Sequence, residues 1–243
     1  MLQHTFNTIK DFFIKNTHGF LAVVYPSICL LCSKELPEKT NFLCHSCIDN
    51  LHFTHFEKYD KDHPAAEVFW GRCELKQVYS MLYFQKGNST KQLMHTVKYK
   101  DGKELAVFLG EMMGEKICGK EQYNTIEALV PIPLHGKKAF IRGYNQSLKI
   151  SEGLAEKLNI PITELIIRKK HHQSQTKKNR FERWDNVADI FDVNSDISCK
   201  HKHIALVDDV LTTGSTLESA YRTLKEAHPE LAISVLTIAL AKG

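Results

Sequence analysis

Ile204-Ala205-Leu206-Val207-Asp208-Asp209-Val210-Leu211-Thr212-Thr213-Gly214-Ser215-Thr216 compresses a strand, two acids and a helix start into one short run. Residues 203–207 are an apolar stretch of strand length, and the paired acids fall at its carboxyl end. A segment rich in hydroxyls and glycine then opens a helix over residues 216–227. Backbone N–H groups at a helix start, joined by Thr and Ser hydroxyls, make a cradle for a phosphate, and Gly214 permits the close approach. Adjacent carboxylates accept hydrogen bonds from two neighbouring sugar hydroxyls, which lays a ribose 5-phosphate across the strand end, where open α/β sheets bind ligands. The local alternative is that Ser215-x-x-Glu218 is a capping box and the loop merely caps the helix. Capping leaves the two acids unexplained.

Outward from this stretch the pattern alternates. Residues 73–84 read as a strand, Gly87-Asn88-Ser89 as a turn, and Asn88 or Ser89 as the cap of a helix with Leu93, Met94 and Val97 on its apolar side. Residues 102–118 read as a second helix whose apolar face is Leu105, Phe108, Leu109 and Met112. Residues 126–132 are a short buried strand ending in prolines, and Ile150, Leu154 and Leu158 mark a helix. A strand begins at residues 165–167, residues 188–193 alternate weakly, and residues 231–239 form a last strand. Strands alternating with helices predict an α/β domain, a mostly parallel sheet covered on both faces, over residues 70–243. Residues 51–63, rich in His, Lys and Asp without clear periodicity, read as a connector from a smaller module over residues 1–60. Before that, Leu2, Phe6, Ile9 and Phe13 recur at helical spacing and predict an amphipathic helix packed on its own protein.

The chain has 243 residues, of which 25% are charged and 43% apolar, a composition that excludes disordered, collagenous and coiled-coil classes. Its net charge is +4, yet residues 168–183 alone carry seven basic side chains and one acid, a local +6, so the rest of the chain is −2. The basicity belongs to one polar segment and does not indicate a generally nucleic-acid-coating protein. No stretch approaches the roughly 18 apolar residues of a membrane span. The most apolar one, residues 19–31, is interrupted by Tyr25, Pro26 and Ser27 and lacks the flanks of a signal peptide, so the expected compartment is the cytoplasm.

Cys29, Cys32, Cys44 and Cys47 form a doubled C-x2-C pattern, in which each pair has the separation of a metal-binding knuckle. Four thiolates complete a tetrahedral zinc shell with no open position, so the expected zinc is structural and substitutes for a core that so short a segment cannot build. Disulfides or unrelated thiols are the competing readings, and the cytosolic context with doubled spacing favours the metal. Cys73, Cys118 and Cys199 show no paired spacing.

Residues 207–216 resemble the phosphoribosyl pyrophosphate (PRPP) motif of type I phosphoribosyltransferases, and the chain from Pro26 onward resembles the ComF competence family, which joins a four-cysteine zinc module to such a domain. Besides the cysteines, the likeness rests on Pro131-Ile132-Pro133, on Arg142-Gly143-Tyr144-Asn145-Gln146, and on Gln175-Thr176 followed by Arg183-x-x-Asn186-Val187. At Tyr144 the family commonly has Phe. The resemblance implies that Asp208 and Asp209 hold the ribose hydroxyls and act in catalysis, and that Thr212, Thr213, Gly214, Ser215 and Thr216 hold the 5-phosphate. It further implies that Lys137, Lys138 or Arg142 supply positive charge to the diphosphate. Magnesium would arrive with PRPP, held mainly by phosphate oxygens and water, as Mg²⁺ prefers. Charge developing on the leaving diphosphate would be met by the metal and basic side chains, while the acids would stabilise the sugar or take a proton.

The basic segment fits three roles. As a lid closing over PRPP, Lys177, Lys178 or Arg180 would reach the diphosphate. As a nucleic-acid surface, the same residues with His171, His172, Phe181 and Trp184 would line a single strand, in keeping with the family's link to uptake of single-stranded DNA in natural transformation. As a solvated loop it would only aid solubility. Lys86, Lys91, Lys98, Lys100 and Lys103 extend a basic track or form a wet helix face. Two functions of different class follow from the resemblance. One is a phosphoribosyltransferase acting on Mg-PRPP and an unidentified acceptor. The other is a non-catalytic PRPP-sensing and single-stranded-DNA-binding module that works with other proteins of the competence machinery. Domains of this fold often pair, so a homodimer is compatible with either.

Overall fold

The computed structural model describes residues 27–37, 42–85, 89–99, 102–134, 141–169 and 190–241. The chain divides into two compact units, Met1–Leu51 and His52–Gly243. The predicted helix near Leu2 to Phe13 lies outside the described residues.

The larger unit is built on β1 (Val78–Phe84), β2 (Ala128–Pro131), β5 (His203–Leu211) and β6 (Ala232–Ala241). They form one parallel sheet in the order β1-β6-β5-β2. Two single bridges extend it, Phe53 against Leu82 beside β1 and Ile162 against Leu129 beside β2. β6 is buried along nearly its whole length and β5 along its first five residues, the continuous apolar reading of strands covered on both faces. The polar groups inside are paired: Ser80 Oγ lies 2.6 Å from Thr237 Oγ1, and His203 Nε2 lies 2.8 Å from Ser234 Oγ. An α/β fold with a parallel sheet flanked by helices is thus what the residues form.

The helices are α1 (His45–Asp49) in the smaller unit and, in the larger, α2 (Pro64–Glu67), α3 (Ser89–Lys98), α4 (Lys103–Ile117), α5 (Gln146–Leu158) and α6 (Ser215–Ala227). α4 and α5 cross at glycines. A Cβ on Gly110 would fall 2.1 Å from the Ile150 carbonyl oxygen, and one on Gly153 would fall 2.1 Å from that of Val107. This crossing corrects the expected face of α4. The buried side is Leu105, Ala106, Leu109, Gly110, Met113, Gly114 and Ile117, and Phe108 and Met112 are only half-buried, because small residues let the backbones approach on a stripe rotated from the bulky one.

Two further segments differ from expectation. Residues 51–63 are no loose connector, since Phe56, Glu57 and His63 are buried, Phe56 stacks on His63 at 4.4 Å, and the Thr54 hydroxyl donates to the Ser80 carbonyl at 2.6 Å. His and Asp there masked a sparse apolar anchor pattern. The two strands predicted near residues 165 and 190 are β3 (Ile166–Arg168) and β4 (Phe191–Val193), and they pair antiparallel with each other instead of joining the parallel sheet.

Candidate functional site

β5 runs past the expected end at residue 207 to Leu211, because its backbone keeps pairing with β6; Asp208 and Asp209 lie where the strand emerges from the core, and Gly214 turns the chain into α6 at φ +75°, a left-handed conformation natural to glycine. Gly214 is itself the N-cap: its carbonyl accepts the Glu218 N–H at 2.8 Å, and no side chain caps the helix. Ser215 is therefore the first helical residue and not a capping serine, so the capping box is not formed. Its hydroxyl lies 3.2 Å from that of Thr213, placing two hydroxyls at the mouth of the uncapped first turn. The uncapped end of a 13-residue helix, preceded by a glycine in the left-handed region, has the donor arrangement that anions occupy.

Asp208 is held from the neighbouring helix. The Ser147 hydroxyl donates to Asp208 Oδ1 at 2.9 Å, and the Asp209 N–H donates to the same oxygen at 2.8 Å. Burial pushes the Asp208 carboxyl up to about 7, and the charge of Asp209 adds to the rise; the two donors and Lys98 offset it only in part. Lys98, at the end of α3, places Nζ 3.2 Å from Asp209 Oδ2. α3 is anchored nearby through Tyr144, whose hydroxyl donates to the Val97 carbonyl. Asn145 caps α5, accepting the Ser147 N–H at 3.0 Å, and its amide donates to the Ile132 carbonyl at 3.0 Å, tying the end of β2 to the helix that presents Ser147.

The structure brings together Asp208, Asp209, Thr212, Thr213, Gly214, Ser215 and Thr216 at the carboxyl end of β5. Arg142 stands over the Tyr99 ring, its Cζ 5.7 Å from the centroid. Lys137, Lys138, Lys177, Lys178 and Arg180 lie outside the described residues. The basic segment enters from β3, whose last residue, Arg168, is held below its ordinary value by burial, with the Asp208 carboxylate opposing the shift. Sequence reasoning did not single out Ser147, Asn145 or Arg72 for the site, and took Lys98 only as part of a basic track. Asn145 carried a legible signal as an N-cap ahead of an apolar-periodic helix. Arg72 carried none: its guanidinium donates to the Thr213 carbonyl at 2.8 Å across 141 residues.

In the smaller unit the four cysteines converge. Their sulfurs all lie within 4.8 Å of one another. Cys29 opens a tight turn in which the Ser33 N–H bonds the Cys29 carbonyl at 2.9 Å, and Cys44 precedes α1, which carries Cys47 on the same side one turn later. Burial opposes ionisation of Cys29, yet the N–H groups of Cys44, Cys32 and Leu31 prevail and bring its thiol down to about 6. Burial and the three other sulfurs push Cys47 up to about 12. Four thiols so placed cannot all ionise alone, and a divalent soft-ligand cation removes the conflict, so the donor set fits zinc.

Residues 145–243 match the family described as the phosphoribosyl transferase domain. Among curated proteins, the chain is 35% identical over 106 residues to Competence protein F of Haemophilus influenzae, covering 43% of this chain and 46% of that one. It is 34% identical over 110 residues to Competence protein ComFC of Bacillus subtilis, covering 45% and 43%. It is 23% identical over 209 residues to DNA utilization protein YhgH of Salmonella typhi, covering 81% and 83%. The matched stretch thus spans less than half the length of the first two relatives. No helix among the described residues is long and apolar enough to cross a membrane.

Proposed function

We propose that the larger unit binds PRPP with magnesium at the end of β5 and transfers the phosphoribosyl group to a nitrogenous acceptor, a reading supported by the match of residues 145–243 to the phosphoribosyl transferase domain and by the likeness to Competence protein F and Competence protein ComFC. The observation that carries this reading is the uncapped start of α6, which follows the paired carboxylates of β5 in the same short run of chain. The first-turn N–H groups with the Thr213 and Ser215 hydroxyls bind the 5-phosphate. Asp208 and Asp209 accept the ribose hydroxyls.

The acids also suit the metal that PRPP carries. A carboxyl that burial and a like-charged neighbour hold partly protonated is one that a nearby cation would ionise. When bound, magnesium supplies charge neutralisation to the diphosphate. Ser147 keeps Asp208 oriented, and Lys98 keeps Asp209 balanced until the sugar arrives. As the bond to diphosphate lengthens, positive charge grows on the sugar ring, and carboxylates that hold the ribose hydroxyls would stabilise it. Arg142, Lys137 and Lys138 follow β2 in the chain and are the candidates for the departing diphosphate, with Lys177, Lys178 and Arg180 as lid candidates. The four-cysteine unit holds structural zinc.

The relatives' names extend the proposal to a role in competence or in the use of incoming DNA. The test of turnover is pyrophosphate release from Mg-PRPP over a panel of nucleobases and related amines. Release that depends on an acceptor and disappears when Asp208 and Asp209 become Asn supports transfer. PRPP binding with no release on any acceptor contradicts transfer and leaves a binding module.

A further inference from the structure

Arg72 belongs to no strand or helix of the proposed site, yet three of its nitrogens reach the loop and the helix that follow β5. Nη1 donates to the Thr213 carbonyl at 2.8 Å and to the Val68 carbonyl at 2.9 Å. Nε donates to Glu218 Oε2 at 2.8 Å, and Nη2 donates to the same oxygen. Arg222 Nη2 donates to the other Glu218 oxygen at 2.5 Å. The segment carrying Arg72 also packs on the loop itself, since a Cβ on Gly214 would come within 2.9 Å of Val68 Cγ1 and of Phe69 Cε1.

Two consequences follow from elementary geometry and charge. The C=O and N–H of a trans peptide point in opposite directions, so holding the Thr213 carbonyl toward Arg72 turns the Gly214 N–H away from it. The peptide thus offers a donor, and not a carbonyl oxygen, on the side opposite Arg72. Glu218 meanwhile sits in the first turn of α6, where an uncompensated carboxylate would repel an incoming phosphate. Burial opposes its ionisation, but Arg72 and Arg222 hold it below the usual carboxylate range, so it is ionised and neutralised in place.

We propose that Arg72 is the positioning residue of the phosphate loop, orienting the 213–214 peptide toward a phosphate monoester and cancelling the charge of Glu218 behind it. The proposal rests on the reading of residues 212–216 as a phosphate cradle. A lysine cannot replace this fork, because one ammonium does not serve both carbonyls and the carboxylate in a fixed plane.

The test titrates ribose 5-phosphate and Mg-PRPP into the full chain as wild type, Arg72→Lys, Arg72→Ala and Arg72→Ala with Glu218→Gln, alongside thermal melts of each ligand-free protein. Hydrogen bonds to charged groups are worth enough that Arg72→Ala is expected to weaken both ligands about tenfold or more. Arg72→Lys falls between Arg72→Ala and wild type. The double variant recovers part of the loss, because the carboxylate left with Arg222 as its one cationic partner is gone; a scaffold role alone would not produce that recovery. If Arg72→Ala does not fold, Arg72→Lys decides. Affinities within twofold of wild type in the folded variants overturn the role of Arg72. A wild type that binds neither ligand overturns the phosphate-cradle reading itself.

Discussion

Replacing Asp208 by asparagine is expected to stabilise the ligand-free protein above neutral pH while weakening its hold on PRPP. The folded carboxyl titrates near 7 against an ordinary 3.8. Between those values the folded chain holds the extra proton, so this group's contribution to stability falls as pH rises and is fully lost above about 7. The gap corresponds to about 4 kcal/mol of unfavourable ionisation at pH 8. Asparagine has no charge to desolvate, and its carbonyl still accepts from the Ser147 hydroxyl and the Asp209 N–H. The charge assistance of those two bonds is already contained in the value near 7 and is not subtracted again. The net expectation is a gain of about 4 kcal/mol at pH 8, or a Tm higher by about 8–16 °C for a chain of this size. At pH 5 the folded wild-type carboxyl is already protonated, so less than half of the penalty remains and the advantage of asparagine shrinks with it. Calorimetric melts of both proteins at pH 8 and pH 5 measure the difference. An Asp208→Asn protein less stable than wild type at pH 8, or one whose Tm difference is the same at both pH values, refutes the placement of this carboxyl as a buried, opposed charge.

Further outcomes are expected elsewhere. Gly153→Ala drives a methyl into the Val107 carbonyl and is expected to cost about 2–3 kcal/mol in chemical denaturation, whereas a surface substitution such as Glu156→Ala on the same helix changes little. Asn145→Ala removes the α5 cap and the tie to Ile132, for a loss of about 1–2 kcal/mol together with weaker PRPP binding, read by melts and titration. Protein purified without chelator is expected to carry one equivalent of zinc by metal analysis, and Cys29→Ser to bring it below half.

The sheet and the acids at the end of β5 were legible because both depend on local pattern: an apolar run, a pair of carboxylates, a glycine at a helix start. The cysteine pairs were legible from spacing alone. What escaped the sequence is what depends on contacts between distant segments. Arg72 meets Thr213 only after the chain has folded back across the sheet, and nothing in its neighbours Gly71 and Cys73 marks it. Ser147 looks like any small helix-start residue until β5 brings Asp208 beside it. The apolar face of α4 was misplaced because periodicity counts bulky residues, while the crossing with α5 is built on Gly110 and Gly153. The capping box was a true sequence match that the fold did not use, since Glu218 is drawn toward Arg72 and Arg222 instead.

The central claim, that the paired acids and the uncapped start of α6 form a PRPP site, meets its most direct test in an isothermal titration of Mg-PRPP into the wild-type chain and into Asp208→Asn with Asp209→Asn. Saturable binding by the wild type, lost in the double variant while its fold is retained, is the predicted result. No binding by the wild type, or equal binding by the double variant, contradicts the account.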